Sequence, residues 1–158
     1  MTKAIRIHET GGPEVLTYED VDIGDVGAGQ VRLKQTAIGL NFLDVYQRTG
    51  MYPIGDLPKT LGMEAAGVIE EVGDGVEDFA VGDRVAYAGG LGSYAEERVW
   101  GTDRLVKLPD GIADHTPAAM TRQGMTAYSL RNLAYPVNSG YPIPFYSPAG
   151  GVGPSARH

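Results

Sequence analysis

The chain has 158 residues, of which 42% are hydrophobic and 21% charged, a composition typical of one globular domain with a sizeable core. A formal net charge of −7 and the absence of a Lys/Arg cluster weigh against nucleic acid as a partner. The sequence has no cysteine and only three histidines, which excludes disulfides and thiolate metal sites and argues against any transition-metal site.

Short alternating segments separated by turn residues predict a mainly β fold with a few helices. Turn signals recur at short intervals up to about residue 110, a pattern typical of short strands folded into a partly open β-barrel. The longest clear alternation places Val31, Leu33 and Ala37 on an inward face. The predicted strands are Lys3–Ile7, Gln30–Ile38, a run over Gly62–Val72, a strand ending near Tyr87, Ser93–Trp100 and Arg104–Leu108.

Two helices are predicted within this β-rich sequence. Asn41 is a favourable N-cap for the first helix, Asp44 lies in its first turn, and Gly50 takes the C′ position. The second helix is predicted over residues 116–133, with Thr116 as N-cap, an apolar stripe, and Gly124 as a weak point or break.

The last 30 residues differ in composition and contain one candidate phosphate loop. Asp114 is the last acidic residue, and Gly150–Gly153 is the only glycine-rich string of the Rossmann kind. Pro142 and Pro144 in the preceding segment suit an edge strand, and Pro148 takes the first glycine position of the motif. Five residues follow the loop, too few for a crossover helix or for an acidic ribose partner about 20 residues further on. A flexible turn is the alternative interpretation.

Several motifs occur in a fixed order along residues 3–140. They are Gly11–Leu16, Ala37–Tyr46, Arg48–Pro53, Gly62–Val68, Gly82–Val85 and Gly124–Tyr128, followed by Ala149–Gly153. Their order and spacing resemble the zinc-free quinone oxidoreductases of the zeta-crystallin type, in the medium-chain dehydrogenase/reductase superfamily. The resemblance weakens over Tyr141–Tyr146 and fails after Gly153, so the chain looks truncated at the start of a Rossmann domain.

The resemblance implies a fold and a division of the chain. Residues 1–125 are expected to form a GroES-like catalytic domain, and residues 126–158 a connecting helix with the first strand and loop of a nucleotide-binding domain. Family members form homodimers mainly through the cofactor domain, which is missing here, so the oligomeric state does not transfer. With no signal sequence and no apolar run of about 18 residues, we expect a cytoplasmic protein with no membrane partner.

The resemblance also implies NADPH as cofactor and a small quinone or conjugated enone as substrate. Asn41 and Met63 resemble the positions at which zinc-dependent relatives carry a cysteine and a histidine. An amide cannot supply a thiolate, and a thioether is a poor zinc ligand. Hydride transfer without zinc is therefore expected, and no metal ligand is assigned.

The resemblance assigns roles to a set of residues. Asn41 and Thr126 would orient the nicotinamide carboxamide or a substrate oxygen, and Tyr46 and Tyr52 would line the substrate slot. The residues expected to contact the cofactor are Asn41, Phe42, Asp44, Tyr46, Thr126, Tyr128, Gly150, Gly151, Val152 and Gly153.

Each assignment has a plainer alternative. Asn41 serves equally well as a helix cap, and Asp44 as a complement to the helix dipole. The tyrosines suit half-buried packing, and Thr126 suits a hydrogen bond back to a helix carbonyl. Glu64 is expected to be a buried carboxylate with its hydrogen bonds satisfied.

Two classes of function stay open at this stage. The first is an NADPH-dependent oxidoreductase whose catalytic half is present, with weak NADPH binding and little turnover expected of this chain alone. The second is a non-catalytic GroES-like fragment, acting as a binding or assembly module or representing a non-functional gene product. The charge-poor, proline-rich tail favours the second.

Overall fold

The computed structural model describes residues 1–134, 137–138, 140 and 150–152, which contain eight strands and two α-helices. In chain order the elements are β1 (Thr2–Ile7), β2 (Thr17–Val21), β3 (Gln30–Gly39), α1 (Phe42–Arg48), β4 (Lys59–Thr60), β5 (Glu64–Val72), β6 (Arg84–Ala88), β7 (Glu97–Gly101), β8 (Val106–Lys107) and α2 (His115–Tyr128). A π-helical segment, Ser129–Ala134, continues α2.

The strands form two antiparallel sheets that are not closed into a barrel. One sheet has three strands in the order β2-β1-β4, and the other has five in the order β7-β3-β5-β6-β8. An isolated bridge pairs Ala4 of β1 with Ala95, two residues before β7. The prediction of a mainly β fold with a few helices is confirmed.

The main core lies on one face of the five-stranded sheet. Val31 and Leu33 of β3 are fully buried, as their alternation predicts, and they pack with Ile69 and Tyr87 from β5 and β6. Register shifts along β3, between Arg32/Leu33 and Gln35/Ala37, interrupt its pairing with β5. Irregularities of this kind increase the local twist of a sheet.

The predicted strands differ from the structure at several places. The strand predicted over Arg104–Leu108 is reduced to Val106–Lys107, because Thr102–Arg104 forms a 3₁₀ turn, and the two-residue β4 was not predicted. The strand predicted over Ser93–Trp100 is shorter, because Ser93 and Tyr94 bond to the carbonyls of Gly62 and Leu61 rather than to a continuous neighbour. β2 was not predicted: it is an edge strand in which only Val21 is buried, so its sequence carries almost no apolar alternation.

The first helix matches its prediction. Asn41 is the N-cap of α1, Asp44 lies in the first turn, and Gly50 follows the helix with a φ of 81°. The start of this helix sets the positions of Asn41 and Asp44.

The second helix begins two residues earlier than predicted. Its N-cap is Asp114 rather than Thr116, because the Asp114 carboxylate accepts hydrogen bonds from Thr36 Oγ1 at 2.6 Å and Arg84 Nε at 3.0 Å. Gly124 does not break the helix, which runs to Tyr128. Ala118 packs on Ala66 and Ala86, which places α2 against the five-stranded sheet.

The predicted strand Tyr141–Tyr146 and the last loop glycine, Gly153, lie outside the described residues. In the part of the chain that the structure describes, neither α-helix is long and apolar enough to span a membrane.

Candidate active site

The start of α1, the start of β5 and the middle of α2 meet at one buried carboxylate. Glu64 is 1% exposed; its Oε2 accepts from Asn41 Nδ2 at 3.0 Å, and its Oε1 accepts from the backbone N–H of Arg122 at 2.7 Å. β3 approaches α2 so closely that a Cβ on Gly39 would lie 2.0 Å from the carbonyl oxygen of Ala118. The expectation that Glu64 is a satisfied buried carboxylate is confirmed.

Asp44 stabilises the start of α1. It is 3% exposed, and its Oδ2 accepts from the backbone N–H of Asn41 at 2.9 Å, one arm of a capping box. The hydroxyl of Tyr94 donates to the same oxygen at 2.8 Å. Burial, and then this carboxylate, raise the pKa of Tyr94 above its ordinary value. Oδ1 of Asp44 is buried with no partner among the described residues.

Met63 lies between α1 and α2, beside Glu64. Its Sδ accepts weak hydrogen bonds from Gln47 Nε2 and from Arg122 Nη1, both at 3.4 Å. Sequence reasoning assigned no role to Gln47 or Arg122. Gln47 lies one turn beyond Asp44 on the same face of α1, a spacing that could have identified it. Nothing in the sequence links Arg122 to Met63, which is 59 positions away.

Three aromatic residues named from the sequence come together on α1 and the segment after it. The rings of Phe42 and Tyr46 meet edge-to-face at 5.1 Å between centroids, and those of Tyr46 and Tyr52 at 5.4 Å. Phe42 is 68% exposed and Tyr52 is 52% exposed, so this aromatic cluster presents open ring surface.

Thr126 and Tyr128 lie at the end of α2 with exposed side chains. The hydroxyl of Thr126 donates to the carbonyl oxygen of Arg122 at 3.0 Å, which is the backward helix bond given as its plainer alternative. The same residue therefore keeps its hydroxyl lone pairs available as acceptors.

Part of the glycine loop is described, and it lies against α2. A Cβ on Gly151 would come within 2.9 Å of the flexible amide end of the Gln123 side chain. Gly150 and Val152 flank it, and Gly153 falls outside the described residues.

The donor groups at this site are amide, carboxylate, guanidinium and thioether. Within residues 1–134 and the few later positions described, no group of three or more His, Asp or Glu side chains is arranged to hold a metal ion.

Comparison with known proteins defines the class of this fold and site. The model of the family "Alcohol dehydrogenase GroES-like domain" matches residues 27–110, and the chain belongs to that family. It is 47% identical over 154 residues to a quinone oxidoreductase of Pseudomonas aeruginosa, covering 97% of this chain and 47% of that protein. It is 43% identical over 168 residues to a 2-haloacrylate reductase of Burkholderia, covering 100% of this chain and 50% of that protein.

A solved structure agrees. The quinone oxidoreductase of Escherichia coli complexed with NADPH superposes with a TM-score of 0.93 at 38% identity, covering 98% of this chain and 48% of that one. Within the medium-chain dehydrogenases, the chain belongs to the quinone oxidoreductase family, as its motifs indicated. It spans about half the length of the curated relatives it matches.

Proposed function

We propose that residues 1–125 form the substrate-facing domain of an NADPH-dependent reductase that transfers hydride to quinones or conjugated enones without zinc. The observation that carries this is the cluster of Asn41, Met63 and Glu64 at the start of α1, where the next residue, Phe42, begins the exposed aromatic cluster. The Pseudomonas aeruginosa relative is named a quinone oxidoreductase, and the Escherichia coli one is complexed with NADPH, which supports this proposal. Residues 126–158 then lead to the nucleotide-binding domain.

Zinc-free chemistry is supported by how the two ligand-like positions are used. Asn41 turns its N–H₂ group to Glu64, and a nitrogen that donates in this way offers no lone pair to a metal. The sulfur of Met63 accepts from two N–H donors. Zinc in a catalytic site needs three protein ligands with free lone pairs, which these groups do not supply.

The side chains fit a nicotinamide ring with its carboxamide. NADPH supplies the hydride when it is bound. Thr126 already donates its hydroxyl proton within α2, so it is left to accept from a carboxamide N–H₂. The second hydrogen on Asn41 Nδ2 is available to a carbonyl oxygen, and the exposed ring of Phe42 offers an apolar face. Gly150–Val152 and Tyr128 complete the proposed contacts.

The aromatic cluster fits a flat, conjugated substrate. Tyr46 contacts both Phe42 and Tyr52 edge-to-face, which fixes the angle between the exposed rings. A quinone can stack on such a surface with little conformational cost, since it is rigid. Asp44, buried in the first turn of α1, acts in this proposal by holding Asn41 and the helix start rather than by moving a proton.

A chimera tests the proposal. This chain replaces the aligned residues of the Pseudomonas aeruginosa quinone oxidoreductase, and NADPH oxidation with a simple quinone is followed at constant protein concentration. The chimera is expected to be active, and Asn41→Ala to lower kcat/KM about 100-fold, the usual cost of losing one positioned donor. Asn132→Ala, the same change on the exposed π-helical segment, is the control and should leave kcat/KM unchanged.

A folded chimera that binds NADPH and reduces no quinone or enone would favour the alternative of a non-catalytic module. The isolated 158-residue chain, assayed in parallel, is expected to show little turnover.

A further inference from the structure

We infer that Arg122 makes this site selective for conjugated acceptors that carry a carboxylate. The inference rests on the proposed function and deepens it by naming a substrate class and the residue that selects it. A neutral quinone needs no guanidinium for its binding. Arg122 therefore predicts that acceptors with a carboxylate are preferred over neutral ones.

Arg122 is a half-buried cation without an ionic partner among the described residues. The arginines that form ion pairs in this part of the chain are Arg6, Arg32, Arg84 and Arg104. The only acceptor that the Arg122 guanidinium reaches there is the sulfur of Met63, a weak one, at 3.4 Å. Most of its five N–H donors therefore have no acceptor among the residues that the structure describes, and they can bind a ligand.

Arg98 shows how an arginine without an ion pair can be satisfied by other contacts within the fold. Arg98 also lacks an ion pair in the described residues, but its guanidinium stacks on Trp100 at 3.6 Å and donates to Ser93 Oγ and the carbonyl of Leu91. Those contacts satisfy Arg98 within the fold. Within the described part of the chain, Arg122 has no comparable set of contacts.

The backbone of Arg122 is held in place at the middle of α2. Its backbone N–H donates to Glu64 at 2.7 Å, and its carbonyl accepts from Thr126 at 3.0 Å. The guanidinium lies beside the sulfur of Met63, and the backbone N–H of the same arginine is bonded to Glu64, the partner of Asn41. A guanidinium can bind a carboxylate through two parallel N–H···O bonds.

Two buried carboxylates, Glu64 and Asp44, are bonded to Asn41, and their negative charge opposes the binding of an anion nearby. Glu64 has both oxygens occupied, by Asn41 and by the Arg122 backbone, and Asp44 turns its Oδ2 to Asn41 and Tyr94. These hydrogen bonds spread part of their charge. The alternative role for Arg122 is to offset the two buried charges, without contacting any ligand.

Methyl NMR of the 158-residue chain without NADPH separates these roles. The chain is labelled at the methionine methyl groups, and Met63 is assigned by substitution. The probes are 2-chloroacrylate and its neutral isostere 2-chloroacrylamide. We expect 2-chloroacrylate to shift the Met63 signal saturably, and 2-chloroacrylamide to leave it unchanged.

Arg122→Leu is expected to weaken this binding about tenfold or more, the cost of a lost charged hydrogen-bond pair. Arg122→Lys should retain part of it, and Arg131→Leu, the same loss of charge on the adjoining π-helical segment, should retain all of it. A thermal unfolding midpoint measured for each variant identifies any that fails to fold.

Equal shifts with the neutral amide, no shift with the acid, or undiminished binding by folded Arg122→Leu would each overturn the inference. Because these measurements contain no NADPH, they are independent of turnover. If 2-chloroacrylate binds through Arg122 while the chimera oxidises no NADPH, the proposed reaction fails and the carboxylate site stands.

Discussion

The side-chain amide of Asn41 donates to the buried carboxylate of Glu64, with 3.0 Å between Nδ2 and Oε2. The other oxygen of Glu64 accepts from the Arg122 backbone, so one carboxylate joins the start of α1 to the middle of α2. At 1% exposure, water cannot replace either bond if it is lost. This link sets the relative positions of the residues on which the proposed function depends.

Replacing this carboxylate should destabilise the fold. Glu64→Gln leaves two N–H donors facing one carbonyl oxygen and an N–H₂ group, so one donor loses its acceptor. We expect the free energy of unfolding to fall by about 2 kcal/mol, measured by urea denaturation at neutral pH. Glu70→Gln, on the same strand, removes only an exposed pair with Lys34 and should change it by less than about 0.5 kcal/mol. Equal urea midpoints for the two variants would contradict the role assigned to Glu64.

The hydroxyl of Tyr94 predicts a change in stability at alkaline pH. Burial and Asp44 raise its folded pKa above the ordinary value of 10.0, so at higher pH the unfolded chain ionises first and stability is lost. Tyr94→Phe should therefore lower stability by about 1 kcal/mol near neutral pH, and the difference from wild type should shrink towards about pH 11.

Urea denaturation at several pH values checks this expectation. Tyr128→Phe, which removes an exposed hydroxyl, is the matched control and should follow wild type. A wild-type-to-Tyr94→Phe difference that stays constant from neutral to alkaline pH would count against the Tyr94–Asp44 bond.

Asp114 predicts a dependence at acid pH. The Thr36 hydroxyl, and then the Arg84 guanidinium, lower the pKa of this carboxyl, so its contribution is present above the unfolded value of about 3.9 and is lost as pH falls through the folded one. Asp114→Asn replaces the charged acceptor of Thr36 and Arg84 and should cost about 1 kcal/mol at neutral pH, and this cost should diminish towards about pH 3.

Thermal or urea unfolding from neutral to acid pH measures the effect of Asp114→Asn. Asp110→Asn, an exposed change four residues earlier, should leave stability close to wild type throughout. If both variants behave alike at neutral pH, then Asp114 does not hold the start of α2.

The aromatic cluster predicts an effect on substrate binding. In the chimera, Tyr52→Ala removes one of the two rings packed on Tyr46 and should raise the KM for a quinone about tenfold. Tyr52→Phe keeps the ring and should leave KM nearly unchanged, which separates stacking from hydroxyl chemistry. Steady-state kinetics at saturating NADPH provides the measurement, and an unchanged KM in Tyr52→Ala would remove the aromatic cluster from the substrate site.

Local sequence signals predicted the elements with strong periodicity or capping. The alternation in β3 buries Val31 and Leu33, and the Asn41-to-Gly50 pattern gives α1. The predicted start of α2 was wrong because Asp114 accepts a hydrogen bond from Thr36, which is 78 positions away. No local pattern records such a partner.

The candidate site was predictable only in part. Asn41, Tyr46 and Tyr52 were named from motif resemblance, and the structure brings the two tyrosines together with Phe42. Arg122 was missed because its contact with Met63 joins α2 to the residue just before β5, 59 positions away in the sequence. Whether the named residues act on NADPH or substrate stays a prediction.

The sequence by itself determined the family, the mainly β fold and the residue types at the two ligand-like positions, because motifs, alternation and side-chain chemistry are all local properties. Only the tertiary structure decided what those residues contact. The partners of Glu64 come from the start of α1 and from α2, 23 and 58 positions away, and burial then makes both bonds necessary. Side chains so distant in sequence meet only when the sheet and both helices pack, which is why the contact of Arg122 with Met63 appears in the fold and not in the sequence.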